Sequence, residues 1–375
     1  MIKKFKIAIL GLILGHIILL SAGYFLFISN PLQQVEISFY WPEYKAKIAI
    51  TDKKALKDFI EKYEQGEDRP GLLREEDKYY EMVLKYKKGE KILYLDKNLN
   101  LYNPQSTNYK YSPYVVSFLT KTIYDLESAF FGKTINWWDF TEKFPKGASV
   151  KVRDIITGET FTIKRYGGLT HADVEPASEH DTEVLKRIYG NWSWKRRGVV
   201  VYLGNERYAA SINGMPHGAG RIYDNEFRGH FCLHLEDSKV HKSWRVDPGH
   251  QLMIHKAAGK LPEFLDEASP EDLTGYMVAA VVSEDFLPIR YTSANPPDEE
   301  LWKMLVEQIR FIQVNSLDEM AVNDDEYKVS ADITIYRANS ADFYRKTMDV
   351  VFTRDSFRNS WRLNFETLGP LLNPD

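Results

Sequence analysis

Cys232 is the only cysteine of this 375-residue chain, and histidines surround it. It lies between His230 and His234, with His217 upstream, in the stretch SINGMPHGAGRIYDNEFRGHFCLH that covers residues 211–234. A thiolate is a strong nucleophile and a good metal ligand, and a nearby histidine can take the thiol proton. Eight of the nine histidines fall between residues 171 and 255. This clustering indicates a chemical site, although a buried cysteine can also act as a small apolar residue.

The other histidines offer weaker signals. His171 and Asp173, in the segment HADVEP, are spaced to orient a substrate amine or to join a metal site, or they form a polar turn before a helix. On a strand, His234 would share the face of Cys232, because strand side chains alternate with period two. His180 is interpreted as a residue on a helix surface, and His250 and His255, at helical spacing, as structural residues. The role of His241 is left open.

The N-terminus carries an uncharged apolar run at residues 7–28, after Lys3, Lys4 and Lys6. About twenty apolar residues are needed to cross a bilayer as a helix, and flanking positive charge favours the cytoplasmic side. The run therefore predicts a retained single-pass transmembrane anchor over residues 1–30, with the rest of the chain extracytoplasmic. A cleaved signal peptide is the alternative interpretation.

The composition is that of a globular protein, with 44% apolar and 27% charged residues. The formal net charge of -4 provides no basic surface for phosphate backbones, and no zinc-finger pattern is present. Nucleic-acid binding is therefore not expected.

The elements that must position Cys232 can be read from periodicity and turn signals. Residues 150–168 alternate as two strands joined at Thr157-Gly158, and VVVYL turns at Gly204-Asn205 into RYAASIN, which predicts two hairpins. Ser178, with Asp181 three residues later, predicts a helix start. The segment FRGHFCLHLE predicts a further strand that carries Cys232.

The regions on either side of these elements have mixed patterns. Before them, residues 35–130 predict strands, a helix from Asp52 to Tyr63, a hairpin at Lys88-Gly89 and a second helix. After them, LPEFLDEASPEDLTG predicts a linker with a short helix. The strands YMVAAVVS, YKVSADITIYRA, MDVVFTRD and SWRLNFETL follow, with a helix around LWKMLVEQIRFIQ.

The spacing of His217-Gly218 and Gly229-His230-Phe231-Cys232 resembles the L,D-transpeptidase (YkuD-type) family. That family crosslinks peptidoglycan stem peptides through a cysteine nucleophile in an all-β catalytic domain. Its pattern is His-Gly, then fourteen to seventeen residues, then Ser/Thr-His-Gly-Cys. This chain departs from the pattern: Gly229 replaces Ser/Thr, Phe231 replaces glycine, His234 stands where Arg or Asn is usual, and eleven residues separate His217 from Gly229.

The resemblance implies roles for matching residues. Cys232 would be the nucleophile and His217 its base, with the carbonyl of Gly218 orienting the imidazole and His230 beside the nucleophile. The amides of Phe231 and Cys232 would line the oxyanion hole. The substrate-binding candidates are Phe231, His234, His171 and Asp173. The resemblance implies no metal and no cofactor, so the middle domain is expected to fold without metal, and peptidoglycan is the expected partner.

The predicted fold class is therefore multidomain α+β. It comprises an N-terminal transmembrane anchor (1–30), a small α+β domain (35–130), a β-rich L,D-transpeptidase-like middle domain (144–258) and a small C-terminal α+β domain (274–370). The predicted function is cysteine acyl transfer on stem peptides, by transpeptidation or carboxypeptidation. Two alternatives stay open: a zinc-dependent wall peptidase whose site is drawn from His217, His230, Cys232 and His234, with or without His171 and Asp173, and a peptidoglycan-binding module without catalysis.

Overall fold

The computed structural model describes residues 30–105, 108–240, 244–338, 342–356 and 358–372. The chain divides into two compact units, Met1–Leu126 and Glu127–Asp375. Within the described residues, no helix is both long and apolar enough to cross a membrane. The apolar run at residues 7–28, on which the predicted anchor depends, lies outside the described residues.

The first unit is built on a seven-stranded antiparallel sheet in the order β2-β1-β4-β5-β6-β7-β3. The helix predicted from Asp52 is confirmed, because the Asp52 side chain accepts a hydrogen bond from the amide of Ala55 at 2.8 Å and caps it. The hairpin predicted at Lys88-Gly89 is also present. The elements are β1 (Leu32–Phe39), β2 (Lys47–Ile50), α1 (Lys53–Tyr63), β3 (Glu67–Arg69), a 3-10 turn (Glu75–Asp77), β4 (Tyr80–Tyr86), β5 (Glu90–Leu95), β6 (Leu101–Tyr102), β7 (Asn108–Lys110) and α2 (Pro113–Phe130).

The second unit contains a closed six-stranded barrel in the order β10-β13-β12-β11-β8-β9. Both predicted hairpins and the strand around Cys232 are confirmed as parts of it. The segment HADVEP is mostly strand rather than a turn, because β10 pairs with β9 on one side and β13 on the other. The elements are α3 (Trp137–Lys143), β8 (Ser149–Asp154), β9 (Thr160–Gly167), β10 (Ala172–Pro176), α4 (Glu179–Tyr189), β11 (Arg196–Leu203), β12 (Glu206–Asn213) and β13 (Phe231–His234).

The barrel interior is filled by alternate residues of its strands. Phe231 and Leu233 of β13 and Val174 of β10 are fully buried in a core that includes aromatic side chains of α3. Because strand side chains alternate, Cys232 and its neighbours two residues away point away from this core. The predicted helix start at Ser178 is confirmed, since its hydroxyl accepts the amide of Asp181 and caps α4.

Six helices and an antiparallel four-stranded sheet, β14-β15-β16-β17, follow β13 among the described residues. The predicted strand YMVAAVVS is wrong, because these residues belong to α7, which Ser269 caps ahead of Pro270. The elements are α5 (Pro248–Ala257), α6 (Leu261–Asp266), α7 (Pro270–Ser283), α8 (Phe286–Thr292), α9 (Glu299–Val306), β14 (Ile309–Ala321), β15 (Glu326–Arg337), β16 (Phe343–Asp355), β17 (Ser360–Leu363), a 3-10 turn (Phe365–Leu368) and α10 (Gly369–Leu372).

The predicted fold class is therefore wrong as stated. The described chain is α+β in two compact units, and the barrel and the C-terminal sheet belong to one of them. Helix α7 connects the barrel to the C-terminal sheet. On one side it packs against α5, which lies on β11 and β12 of the barrel, and on another it packs against β14 and β15. The transmembrane anchor included in that fold class has no counterpart among the helices described.

Candidate functional site

The candidate site lies on the outward face of β13. Cys232 and His234 project from this face, and His230 precedes the strand with the same alternation. Across the ladder, Asp173 of β10 is the register partner of Cys232. Side chains opposite each other on adjacent strands share a face and lie close together. The barrel therefore brings imidazoles, a thiol and a carboxylate to one place.

Cys232 and His217 are in contact, with 3.4 Å between the sulfur and Nε2. The other ring nitrogen of His217, Nδ1, lies 2.9 Å from the carbonyl oxygen of Met215. A carbonyl only accepts hydrogen bonds, so Nδ1 carries the proton and Nε2 presents its lone pair to the thiol. This is the tautomer that a general base needs. The orienting carbonyl is that of Met215, not that of Gly218 as expected.

The loop between His217 and Gly229 is short but well anchored. His217 and His230 form an isolated antiparallel bridge in which each amide donates to the other's carbonyl at 2.9 Å. The carboxylate of Glu175, which is buried, accepts the amides of Arg221 and Ile222 at 2.8 and 3.0 Å. The bridge joins the two ends of the loop next to β13, and Glu175 of β10 holds the part at Arg221 and Ile222, so the short spacing still brings the imidazole to the sulfur.

Gly229 has a structural reason to be glycine. Its φ is +111°, in the region that favours glycine, and a Cβ atom there would lie 2.6 Å from the carbonyl oxygen of His217. The family's Ser or Thr does not fit this backbone. The departure from the motif thus accompanies the close approach of the two histidine segments.

The resting state of Cys232 is a thiol. Its burial raises the pKa to about 12, and the charge of Asp173 acts in the same direction. A hydrogen bond from Asn213 and the charge of Arg196 oppose this rise in pKa without reversing it. A neighbouring histidine is expected to lower the pKa of a thiol, and the surroundings of this sulfur do the opposite because they exclude water.

No protein-family model matches this chain, and the search of curated proteins finds no match. The site is therefore interpreted from its own geometry.

His230 is held by a tyrosine that the sequence analysis did not single out. The hydroxyl of Tyr166 lies 2.6 Å from Nδ1 of His230 and donates to the carbonyl of Ala219 at 3.1 Å. On the other side of the ring, Nε2 is 3.8 Å from Oδ1 of Asp173. The ring centre of His230 is 4.3 Å from that of His217. His230 thus packs against the base.

A second group of imidazoles lies beside Cys232. The rings of His171, His234 and His250 are stacked, with centres 4.6 and 3.7 Å apart. His171, Cys232 and His234 each offer one ligand atom, and these three atoms lie within 4.8 Å of one another. Burial holds the pKa values of His234 and His250 well below their usual range, so both are neutral. Neutral imidazoles are the form that binds metals.

The predicted site residues separate into three groups. Cys232 and His217 are in contact, and His230 packs against His217. The buried cluster contains His171 and His234, with Oδ1 of Asp173 3.4 Å from Nε2 of His171. Phe231 has its side chain in the barrel core, and Gly218 is exposed. Of the remaining histidines, His180 is exposed on α4, His250 and His255 lie on α5, and His241 lies outside the described residues.

Tyr166, Asn213 and Glu175 belong to the site without a signal in the sequence. Tyr166 and Asn213 lie on strands, and nothing in a single sequence connects them to Cys232. The antiparallel order of the barrel brings them there, since Cys232 lies between β10 and β12. The sequence indicates Asp173 through its spacing to His171. Its position opposite Cys232 is set by the pairing of β10 with β13.

Proposed function

We propose that the second unit is a cysteine acyltransferase that acts on peptidoglycan stem peptides, in the manner of an L,D-transpeptidase. The observation that carries this proposal is the 3.4 Å contact between the Cys232 sulfur and Nε2 of His217, together with the bond from His217 Nδ1 to Met215. A nucleophile, a base and a group that orients the base are thereby aligned.

The proposed acylation begins from a neutral pair. The sulfur attacks the carbonyl carbon of the donor peptide bond while its proton passes to Nε2 of His217. The tetrahedral intermediate then expels the leaving amine, which takes that proton, and a thioester remains on Cys232. A raised thiol pKa suits this sequence, because the proton is removed by the base during attack rather than lost beforehand.

The developing oxyanion needs a hydrogen-bond donor near the sulfur. Successive amides of a strand point to opposite neighbours, so only one of Phe231 and Cys232 can direct its N–H to β10. The other amide points towards β12, and the pairing of β12 with β13 ends at the pair Ile212 and Leu233. We assign the amide that points towards β12 to the developing oxyanion. Asn213, which hydrogen-bonds the sulfur, lies at the same end of β12.

The thioester is resolved by an acceptor. An amine from a second stem peptide would give a crosslink, and water would give carboxypeptidase activity. In either case His217 takes a proton from the acceptor and returns it to the sulfur as the carbon–sulfur bond breaks. The exposed indole of Trp194, whose ring centre is 5.0 Å from that of His217, offers an apolar edge for the donor peptide. The proposed substrate requires an extracytoplasmic location.

The proposal predicts covalent labelling of Cys232. Incubation with a stem-peptide donor or a carbapenem should add one acyl group, found on Cys232 by intact-mass and peptide mass spectrometry. Cys232→Ala should abolish the adduct. His217→Ala should slow acylation by about 10²- to 10⁴-fold, the usual contribution of a positioned general base, without changing the labelled residue.

His180→Ala is the matched control, because His180 is an exposed histidine of the same unit and should leave the rate unchanged. Circular dichroism checks that each variant is folded. An acylation rate that is the same in wild type and His217→Ala would contradict the proposed base. Absence of any adduct in a folded, metal-free protein would favour the interpretation as a binding module.

A further inference from the structure

The sulfur of Cys232 has a second set of partners besides His217. We propose that His171, Cys232 and His234 bind a borderline-soft divalent cation of the Zn²⁺ class, and that this binding withdraws the sulfur from His217. The metal site stands on its own geometry. Only its regulatory consequence, reversible inhibition of acyl transfer, rests on the proposed function.

The ligand set has the composition and spacing of such a site. One thiol and two imidazoles offer atoms within 4.8 Å of one another, and all three residues are at most 4% exposed. Zn–S bonds of about 2.3 Å and Zn–N bonds of about 2.0–2.1 Å in a tetrahedron put ligand atoms about 3.3–3.6 Å apart. Side-chain movements of about 1 Å would therefore close the site around an ion.

His171 is held in the orientation that a ligand needs. Its Nδ1 lies 2.8 Å from the carbonyl oxygen of Lys239, so Nδ1 carries the proton and donates it. With the proton on Nδ1, Nε2 is the ring nitrogen that can bind a metal, and a backbone carbonyl on the far nitrogen is the usual support of metal-binding histidines. The Asp173 carboxylate, with Oδ1 3.4 Å from that Nε2, adds negative charge beside the proposed ion.

His234 supplies the independent observation. It is 1% exposed, and its Nδ1 is buried without a hydrogen-bond partner among the described residues. Most buried polar atoms are hydrogen-bonded, so an exception needs an explanation. The stacked rings of His171 and His250 on its two sides fix the plane of the imidazole. One ring nitrogen of His234 belongs to the group of ligand atoms that lie within 4.8 Å of one another, so a cation bound there would give this buried ring a polar partner.

Two separate segments supply the three ligands. Cys232 and His234 are two residues apart on β13, and His171 comes from the residue before β10. When the thiol binds the cation, the sulfur–hydrogen bond breaks, a sulfur–metal bond forms and one proton is released to solvent. That sulfur then has no proton for Nε2 of His217 and is no longer available to attack a carbonyl. Metal binding and acylation are mutually exclusive.

The test uses the purified full chain after chelator treatment under anaerobic conditions. Titration with Co²⁺ should give a thiolate-to-cobalt charge-transfer band that saturates at one equivalent, and Zn²⁺ should displace the cobalt. Calorimetry in buffers of different ionisation enthalpy should find about one proton released per Zn²⁺ bound. Zn²⁺ should also protect Cys232 from alkylation, a measurement that requires no variant.

Variants separate this site from the catalytic pair. His171→Gln and His234→Gln should each weaken Zn²⁺ binding by at least 100-fold, and Cys232→Ser should remove the charge-transfer band. His217→Gln should bind Co²⁺ as wild type does. The exposed His180→Gln is the matched control. The proposal is overturned if wild type gives no charge-transfer band, or if folded His171→Gln and His234→Gln both retain wild-type affinity.

The outcomes also distinguish the two proposals. If the metal-free chain is acylated and Zn²⁺ neither binds nor inhibits, the metal site is wrong and the proposed function stands. If Co²⁺ and Zn²⁺ bind as described but the metal-free chain is never acylated, the site stands and the transferase is wrong. Acylation that Zn²⁺ stops and a chelator restores supports both.

Discussion

The chemistry of Cys232 is governed by exclusion of water. A thiol of ordinary pKa, about 8.5, has a few per cent of thiolate at pH 7, and a positioned histidine can lower that pKa. Here burial and Asp173 raise the pKa to about 12. The neutral thiol therefore needs a partner that takes its proton at the moment of reaction, either the imidazole of His217 or an incoming cation that displaces the proton.

Two buried histidines predict an acid sensitivity of the fold. The pKa values of His234 and His250 are held well below the usual histidine value of about 6.5, chiefly by burial. The unfolded chain takes up these protons below about pH 6.5, and the folded chain does so only at lower pH. Stability that is present above pH 6.5 is thus lost as the pH falls, by about 1.4 kcal/mol per pH unit for each histidine.

Urea unfolding between pH 7 and pH 5, in the presence of a chelator, measures this loss. His250→Gln should reduce the slope of unfolding free energy against pH by one histidine's share. His180→Gln, at an exposed position, should leave the slope unchanged. Equal slopes in wild type and His250→Gln would refute a neutral, buried His250.

Residue types alone could predict only part of this site. The pairing of His217 with Cys232 followed from motif spacing, because both belong to one continuous stretch of chain. Tyr166, Asn213 and Glu175 reach the site through strand order, which is a property of the closed barrel. The burial of Cys232, and with it the direction of its pKa shift, likewise depends on tertiary packing that no local pattern encodes.

At the scale of elements, the close approach of the segments around His217 and His230 depends on Gly229. The two amide-to-carbonyl bonds of the bridge hold these segments 2.9 Å apart, donor to acceptor. A side chain at position 229 would meet the same His217 carbonyl that accepts one of the bonds. The loop and the base are therefore positioned by a single backbone arrangement.

Gly229→Ser, which introduces the residue type of the family motif, should damage the site. The φ of +111° disfavours any side chain, and the new Cβ would have to move the His217 carbonyl. We expect acylation of Cys232 to slow by more than 10-fold as Nε2 leaves the sulfur. The measurement is the rate of adduct formation by mass spectrometry.

Gly204→Ser is the control for backbone strain without a clash. Gly204 has a φ of +59° in the hairpin turn between β11 and β12, and a Cβ there would meet nothing within 4 Å. It should lower the melting temperature slightly and leave the acylation rate intact. Comparable acylation in the two variants would show that the bridge does not position His217.

Elements with explicit end signals were predicted well, and the failure at α7 has an identifiable cause. Ser178 and Asp52 cap helices that are present, and Thr157-Gly158 turns a hairpin that is present. YMVAAVVS is a short, continuous apolar run, which periodicity cannot assign to a buried strand or a buried helix. The cap at Ser269 and Pro270 was the available signal, and it lay six residues upstream, in a segment interpreted as a linker.

At the scale of the whole molecule, α7 connects the barrel with the C-terminal sheet inside the second unit. Its buried residues lie on more than one side of the helix, so α7 can pack against several other elements at once. One partner is α5, which carries His250 and covers the outward face of the barrel, and another is the pair β14 and β15. A helix shared by two sheets couples their stabilities.

The last prediction tests this coupling. Met277 is 1% exposed on α7. The substitution Met277→Ala should destabilise the chain by about 2–5 kcal/mol, as expected for a large-to-small change in a packed core. Met304→Ala, the same chemical change at a 53% exposed position of α9, should cost far less. Because α7 supports both the barrel and the C-terminal sheet, Met277→Ala should lower one shared calorimetric transition of the second unit. Hydrogen exchange should show β12 and β15 losing protection together. If β15 alone lost protection while β12 kept that of wild type, the two sheets would unfold independently, and the separate C-terminal domain expected from the sequence would be the better description.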